Sequence, residues 1–332
     1  MTDFTQMVDL ASERLGGAVV AANDEFFAPR EALLKAAEPE WREDAYTERG
    51  KWMDGWETRR RREPGHDWAI LRLGVPGVIH GFVLDTTYFR GNYPEEVSIE
   101  ACDPPGVLSP AALAEAEWTE IVPRTRVQGN ARNHFEVDDG RRWTHLRLNI
   151  FPDGGVARLR VHGVARPEFT AFARRGGEVD LAAMENGGWV ETCSDMFFGH
   201  RQNLILPGRS LFMGDGWETQ RSRRPGPEWA IVRLAAPGAV HRVELDTDHF
   251  KGNAPERCWL EGLHAPGLSA PELAASTGWR PILGESALQP HARHRWEELQ
   301  DAGPVTHVRL NIAPDGGVAR LRVFGTPAEP ER

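Results

Sequence analysis

Pro152-Asp153-Gly154-Gly155-Val156-Ala157-Arg158-Leu159-Arg160-Val161 recurs residue for residue as Pro314 through Val323. Working outward, Thr144-His145 matches Thr306-His307 at the same spacing. One residue fewer in the spacing aligns Asp54-Gly55-Trp56-Glu57-Thr58 with Asp215-Gly216-Trp217-Glu218-Thr219, Leu84-Asp85-Thr86 with Leu245-Asp246-Thr247, and Phe89 and Gly91-Asn92 with Phe250 and Gly252-Asn253. Upstream, Val8-Asp9-Leu10 pairs with Val179-Asp180-Leu181, and Asp24 with Phe26-Phe27 pairs with Asp195 and Phe197-Phe198. The chain is therefore one ancestral unit written twice, and self-similarity of this extent governs every later assignment. The expected division is a first repeat over 1–165, a linker over 166–178 that contains Arg174-Arg175-Gly176-Gly177, and a second repeat over 179–332. The first repeat carries ten extra residues between Arg30 and Asp54, including Glu38-Pro39-Glu40, which read as a surface loop.

Within a repeat, short apolar runs alternate with Pro and Gly punctuation, the pattern of an all-β sandwich or barrel. Trp68 to Leu73 and Val78 to Leu84 read as strands separated by a Val75-Pro76-Gly77 turn, and Pro110 to Glu117 as a short helix. Thr144 to Ile150 and Ala157 to Gly163 alternate strictly, which predicts an antiparallel hairpin with Leu148 opposite Leu159 and Leu146 opposite Val161. Its polar face would display His145, Arg147, Asn149, Arg158, Arg160 and His162, and in the second repeat His307, Arg309, Asn311, Arg320, Arg322 and Phe324. Clustered arginines beside an asparagine call either for local acidic partners on a solvated face or for an anionic ligand.

At 332 residues two cores are the default. The net charge of −10 argues against a nucleic-acid partner. No apolar run approaches a bilayer span, and Met1 to Gly17 carries Asp3, Asp9 and Glu13 without a basic start, so neither a membrane protein nor a secretory signal is expected and the cytoplasm is the simplest location. Cys102, Cys193 and Cys258 have no counterparts in the other repeat and no metal-ligand spacing, so a disulfide framework is not expected. His80 and His241 share an apparent strand face with apolar residues and read as core histidines. Trp56, Trp68 and Trp118 recur in both repeats and read as packing residues rather than a sugar platform.

The repeated acids could supply general acid and base: Asp54, Glu57 and Asp85, or Asp215, Glu218 and Asp246. Turn formation, capping and neutralisation of nearby arginines, among them Arg59 and Arg221, are the competing roles. No serine elbow, phosphate loop or clustered histidines appear. A metal site is not specified, although a divalent ion remains compatible with the acids. The repeats part at Arg59/Gln220, Arg61/Ser222, Tyr88/His249, Arg90/Lys251 and Glu63/Arg224, so that one can be catalytic and the other supporting.

The duplicated Asp-Gly-Trp-Glu-Thr block, the Leu-Asp-Thr block that runs to Pro94-Glu95, the Leu148-Asn149-Ile150 run with its Pro-Asp-Gly-Gly decamer, and the segment from Leu15 to Arg30 together resemble the allantoicase family over nearly the whole chain. The resemblance implies two jelly-roll sandwiches of the galactose-binding-like type and hydrolysis of allantoate to ureidoglycolate and urea. Arg59, Arg147, Asn149, Arg158, Arg160, Arg221, Arg309, Asn311, Arg320 and Arg322 would then bind a substrate that bears one carboxylate and two ureido groups. A homo-oligomer is expected, and a non-catalytic carbohydrate- or anion-binding sandwich is the competing reading.

Overall fold

A computed structural model describes residues 4–106, 108–167, 177–223 and 225–328. The chain divides between Arg166 and Pro167 into two compact units. Most of the expected linker, and Arg224, lie outside the described residues.

Each unit is organised by one long strand, Asp67–Asp85 in the first repeat and Glu228–Asp246 in the second. The expected turn at Val75-Pro76-Gly77 is instead a bend within this strand. The ladder to Arg142–Phe151 jumps from Arg72 to Gly77, so Pro76 falls where no partner needs its missing N–H. Before the bend the strand pairs with Ala18–Ala22 and Arg142–Phe151, and the latter continues to Glu96–Cys102 and Thr119–Arg126. After the bend it pairs with Arg158–Ala165 and Arg132–Glu136, and Val8–Asp9 closes the edge. All these pairings are antiparallel, and the second repeat reproduces them in the same order. The fold is thus a pair of tandem jelly-roll sandwiches.

The predicted hairpin does not form. Arg142–Phe151 and Arg158–Ala165 both pair with the long strand, on opposite sides of its bend: Leu148 faces Ala69 and Ile99, whereas Leu159 faces Leu84. Period-two alternation fixed the buried faces correctly but carries no information about the partner. The connecting segment is committed elsewhere, because Gly155-Val156 pairs with Trp56-Glu57. This pairing explains two repeated motifs together. Trp56 is fully buried, with its indole N–H donating to the Asp24 carbonyl at 2.8 Å, and its truncation to alanine would cost roughly 3–5 kcal/mol. A Cβ on Gly155 would lie 2.0 Å from the Phe89 ring, and one on Gly317 would lie 1.9 Å from Phe250, so glycine is required wherever that ring is kept.

The apolar faces of both halves of the sandwich are fully buried, through Leu71, Phe82, Leu84, Ile99, Leu146, Leu148, Leu159 and Val161. The short helix forms as Pro110–Ala114, capped by Ser109, and buries Leu113 against Ile70 and Cys102. His80 and His241 are not core residues: the ladder skips each of them as a bulge, which turns His80 half outward and exposes His241. All three cysteines are free.

Candidate active site

The register after the bend sets the residues of one face side by side. Asp85 lies opposite Arg158 on one side and Arg132 on the other, Val83 opposite Arg160 and His134, and Gly81 opposite His162, which in turn pairs with Asp9. These side chains line a cavity of about 430 Å³, closed at its rim by Thr5, Ser12, Ala36 and Glu38. The ten-residue insert is therefore a surface loop only on its outer side. On its inner side the Ala36 and Ala37 carbonyls accept from Arg160 and Arg158 at 3.2 and 2.9 Å.

Arg158 is only 1% exposed. Its guanidinium donates to the Asp54 carboxylate at 2.6 Å, to the Asp54 carbonyl at 3.0 Å and to the Ala157 carbonyl at 2.7 Å. Lys35 pairs with the other Asp54 oxygen at 2.8 Å. Burial pushes the Asp54 carboxyl up, but hydrogen bonds from Arg158, Lys35 and the Glu40 N–H outweigh it and hold the group below its ordinary value. Asp54 and Arg158 thus form a buried pillar beneath the cavity.

Arg160 is differently placed. One terminal nitrogen, Nη1, is buried without a hydrogen-bond partner, 3.7 Å from Asp9 Oδ2. Burial pushes the Asp9 carboxyl up, against the backbone N–H of Val161 and the charges of Arg160 and His162. Asp85 accepts from the Thr87 N–H at 2.7 Å and lies 3.5 Å from Arg132 Nε, so it both caps its turn and faces the cavity. His162 Nδ1 contacts the Met7 carbonyl at 3.0 Å. Because a carbonyl can only accept, that nitrogen carries a proton, and Nε2 is left for the cavity.

The second repeat has a cavity of about 360 Å³ at the corresponding place, bounded by Asp180, Asp246, Arg293, Arg320, Arg322 and others. The pillar recurs as Asp215 and Arg320 at 2.9 Å. The remaining chemistry differs. Phe324 stands where the first repeat has His162, Arg295 where it has His134, Glu244 where it has Val83, and Arg242 where it has Gly81. Arg242 lies 3.6 Å from the Phe324 ring centroid and pairs with both Glu178 and Glu244, while Arg293 is 3.5 Å from Glu244 and 3.7 Å from Asp246. Burial pushes Asp180 up to about 6, against the Arg322 charge, and pushes Asp246 up as well.

Of the residues singled out from sequence, the structure gathers Asp85, Arg158 and Arg160 around one cavity with Asp54 beneath it, and Asp246, Arg320 and Arg322 around the other with Asp215 beneath. The rest lie apart. Glu57 accepts from Asn92 at 2.7 Å and Glu218 from Asn253 at 2.5 Å, and neither lines a cavity of this pair. Burial raises the Glu57 carboxyl against that hydrogen bond. Arg59 is paired with Asp24 at 2.7 Å. Arg221 borders a separate depression beside Asp195 and Phe197. Arg147 and Asn149, and likewise Arg309 and Asn311, belong to the strand paired before the bend, where they engage Glu100 and Glu261.

Sequence reasoning missed Asp9, Arg132 and His134 as cavity residues. Asp9 and Asp180 lay in a recognised repeated Val-Asp-Leu motif, which was an available signal. The exchanges of His162 for Phe324 and His134 for Arg295 were a second. Among the described residues, no three His, Cys, Asp or Glu side chains converge as a metal site.

The family model for the allantoicase repeat matches residues 8–166 and again 179–328. A probable allantoicase of Pseudomonas aeruginosa is 48% identical, with 98% of both chains covered. A probable allantoicase of Burkholderia mallei is 49% identical over 98% of this chain and 96% of its own. Among solved structures, allantoicase from Saccharomyces cerevisiae is 36% identical with a TM-score of 0.77, covering 96% of this chain and 93% of that one. With both repeats matched and full-length relatives near half identity, this chain belongs to the allantoicase family.

Proposed function

We propose that this chain hydrolyses allantoate to ureidoglycolate and urea, and that the first repeat's cavity does the chemistry. Family membership supports the reaction and disfavours a non-catalytic binding sandwich. The observation that carries the choice of cavity is its pair of unlike titratable ends. A buried carboxylate, Asp85, stands at one end and an imidazole with a free nitrogen, His162, at the other, with the buried Nη1 of Arg160 between them.

Allantoate bears a carboxylate and two ureido groups on one carbon. Arg160 and Arg132 would grip the carboxylate, and Arg158, held by Asp54, would keep the strand carrying Arg160 in position. Asp85 takes a proton from water as its oxygen bonds to the central carbon. The bond from that carbon to one ureido nitrogen breaks, and His162 in its protonated form gives that nitrogen a proton. Urea leaves, and the carbon keeps a hydroxyl and its second ureido group. Glu57 and Glu218 have no part in this assignment.

The test is urea release from allantoate by Asp85→Asn and His162→Phe, beside Asp246→Asn in the second repeat. The first two should lose roughly 10²–10⁴-fold in kcat, and Asp246→Asn should stay within several-fold of the parent. An active His162→Phe enzyme, or an Asp246→Asn chain as dead as Asp85→Asn, would sink the assignment.

The chain is further proposed to act as a homo-oligomer in the cytoplasm without nucleic acid. Support comes from Phe197, Phe198, Leu211 and Phe212, which are 62–78% exposed in the second repeat, from three free cysteines, and from the acidic net charge of −10. No helix among the described residues is long and apolar enough to cross a membrane.

A further inference from the structure

The residues placed before the bend form a second polar hollow in the first repeat, on the strand pair Glu96–Cys102 and Arg142–Phe151. It measures about 340 Å³ and is lined by Ser98, Glu100, Asn149 and Arg147, with His66, Trp68 and Phe151 as aromatic walls and Glu120 at its exposed edge. Asn149 is 4% exposed. Its Nδ2 donates to Ser98 Oγ at 3.1 Å and to Glu100 Oε2 at 2.8 Å. A carboxylate can only accept, so the amide orientation is fixed, and Oδ1 is the atom left buried with no partner. An acceptor in that condition is destabilising, and an incoming N–H donor would satisfy it.

The charge of the hollow selects the donor. Burial pushes Glu100 up, but hydrogen bonds from Arg147 and Asn149 outweigh it and keep it ionised. Arg147 is spent on Glu100, at 2.6 Å. Arg124, stacked 4.1 Å from the Phe151 ring centroid, is spent on Glu96. Glu120 is left as the uncompensated charge of the lining. An anion such as a ureido acid is disfavoured here, and a planar cation that both donates N–H bonds and stacks on aromatic rings is favoured.

The second repeat keeps the scaffold and changes the lining. Asn311 and Arg309 engage Glu261 as their counterparts do. Trp259, however, stands where Ser98 does and lies opposite Asn311 in register. Pro227, Pro281 and Ala313 replace His66, Glu120 and Phe151. Where the first repeat has a serine in this hollow, the second carries an indole.

We propose that the first repeat holds a second small-molecule site, separate from the hydrolytic cavity, that takes a planar N–H-rich cation of the guanidinium type against Asn149, Ser98 and Glu120. The assignment stands independently of which cavity hydrolyses allantoate.

The full chain is titrated with methylguanidinium at millimolar concentration, with N-methylurea as the uncharged comparison, by calorimetry and by ligand-observed NMR. Methylguanidinium should bind saturably at one equivalent per chain and tighter than N-methylurea. Ser98→Trp, which installs the residue the second repeat already accommodates, should weaken binding at least about tenfold and leave urea release from allantoate unchanged. Glu120→Lys alters an exposed side chain, so it tests the charge argument even if Ser98→Trp does not fold, and it should weaken methylguanidinium several-fold. Absence of methylguanidinium binding, tighter binding of N-methylurea, or binding that survives both substitutions overturns the proposal.

Discussion

The cavities of the two repeats are cut from the same ladder and rest on the same buried aspartate–arginine pillar, yet they differ in what is left over for a ligand. In the first, Val83 leaves the floor open, the Phe4 ring packs where a side chain on Gly81 would stand, and the imidazoles of His134 and His162 line the walls. In the second, Glu244 and Arg242 fill those positions and neutralise each other and Arg293, while Phe324 removes the imidazole. Asp85, Arg160 and Arg132 are kept as Asp246, Arg322 and Arg293, so the two cavities are told apart by the positions that differ, at His162, His134, Val83 and Gly81. The sharpest way to break this comparison is the catalytic one. His162→Phe copies the second repeat's own residue, so the scaffold tolerates it by precedent, and the expected loss of roughly 10²–10⁴-fold in urea release isolates the imidazole.

The pillar should show the opposite behaviour, with equal effects in both repeats. Asp54→Ala strands Arg158, and Asp215→Ala removes the carboxylate partner of Arg320; all four residues are 8% exposed or less. Removal of one member of a buried pair costs about 3–5 kcal/mol, so each variant should lower the midpoint of guanidinium unfolding by a comparable amount. Lys35 does not enlarge the effect in the first repeat, because its side chain is 45% exposed and can return to solvent. A loss from only one of the two substitutions would show that the pair does not carry the two repeats equally.

Asp180 sharpens the comparison through pH. Its carboxyl rises from an ordinary 3.8 to about 6, with burial as the leading cause. Between those values the folded chain holds a proton that the unfolded chain has released, so stability falls as pH rises through the window. The span is worth roughly 3 kcal/mol at about 1.4 kcal/mol per tenfold change in proton affinity. Relative to Asp180→Asn, the parent should lose stability from about pH 4 to about pH 6 and then level off. A difference that is flat, or that grows with pH, would contradict the burial argument. Asp9, raised in the same direction, should tilt the same way when replaced by Asn.

Much of this architecture was legible in the residues. The duplication located both units, and strict alternation at Leu146, Leu148, Leu159 and Val161 identified the buried faces. What alternation could not supply was pairing. It joined two strands into a hairpin that the structure separates across the bend of a third, and so merged Arg147 and Asn149 with Arg158 and Arg160 into one imagined face. Pro76 and Gly77 looked like a turn because a proline inside a strand is rare, and the register shift that accommodates it depends on Trp143 and His145 far along the chain. Glu57 resembled Asp54 and Asp85 as a repeated acid, and only the neighbouring Asn92 reveals that it holds a loop. His162 was visible on the polar face, but its significance needed Met7 and Asp9 beside it.

The smallest effect is expected at Arg59, where sequence alone suggested a substrate contact. Arg59 pairs with Asp24 at 2.7 Å, but its side chain is 64% exposed, and exposed pairs of this kind contribute at most about 1 kcal/mol. The Asp24 carboxyl sits below its ordinary value because the backbone N–H groups of Arg59 and Phe26, together with the Arg59 guanidinium, outweigh the burial that pushes it up. The backbone contribution does not need arginine: in the second repeat Gln220 makes it with Asp195, its N–H at 2.7 Å from the carboxylate. Arg59→Gln should therefore leave unfolding within about 1 kcal/mol of the parent and urea release essentially unchanged. A large rise in KM for allantoate in that variant would place substrate beside Asp24 and outside the cavity of the first repeat, and would reverse the reading of both cavities.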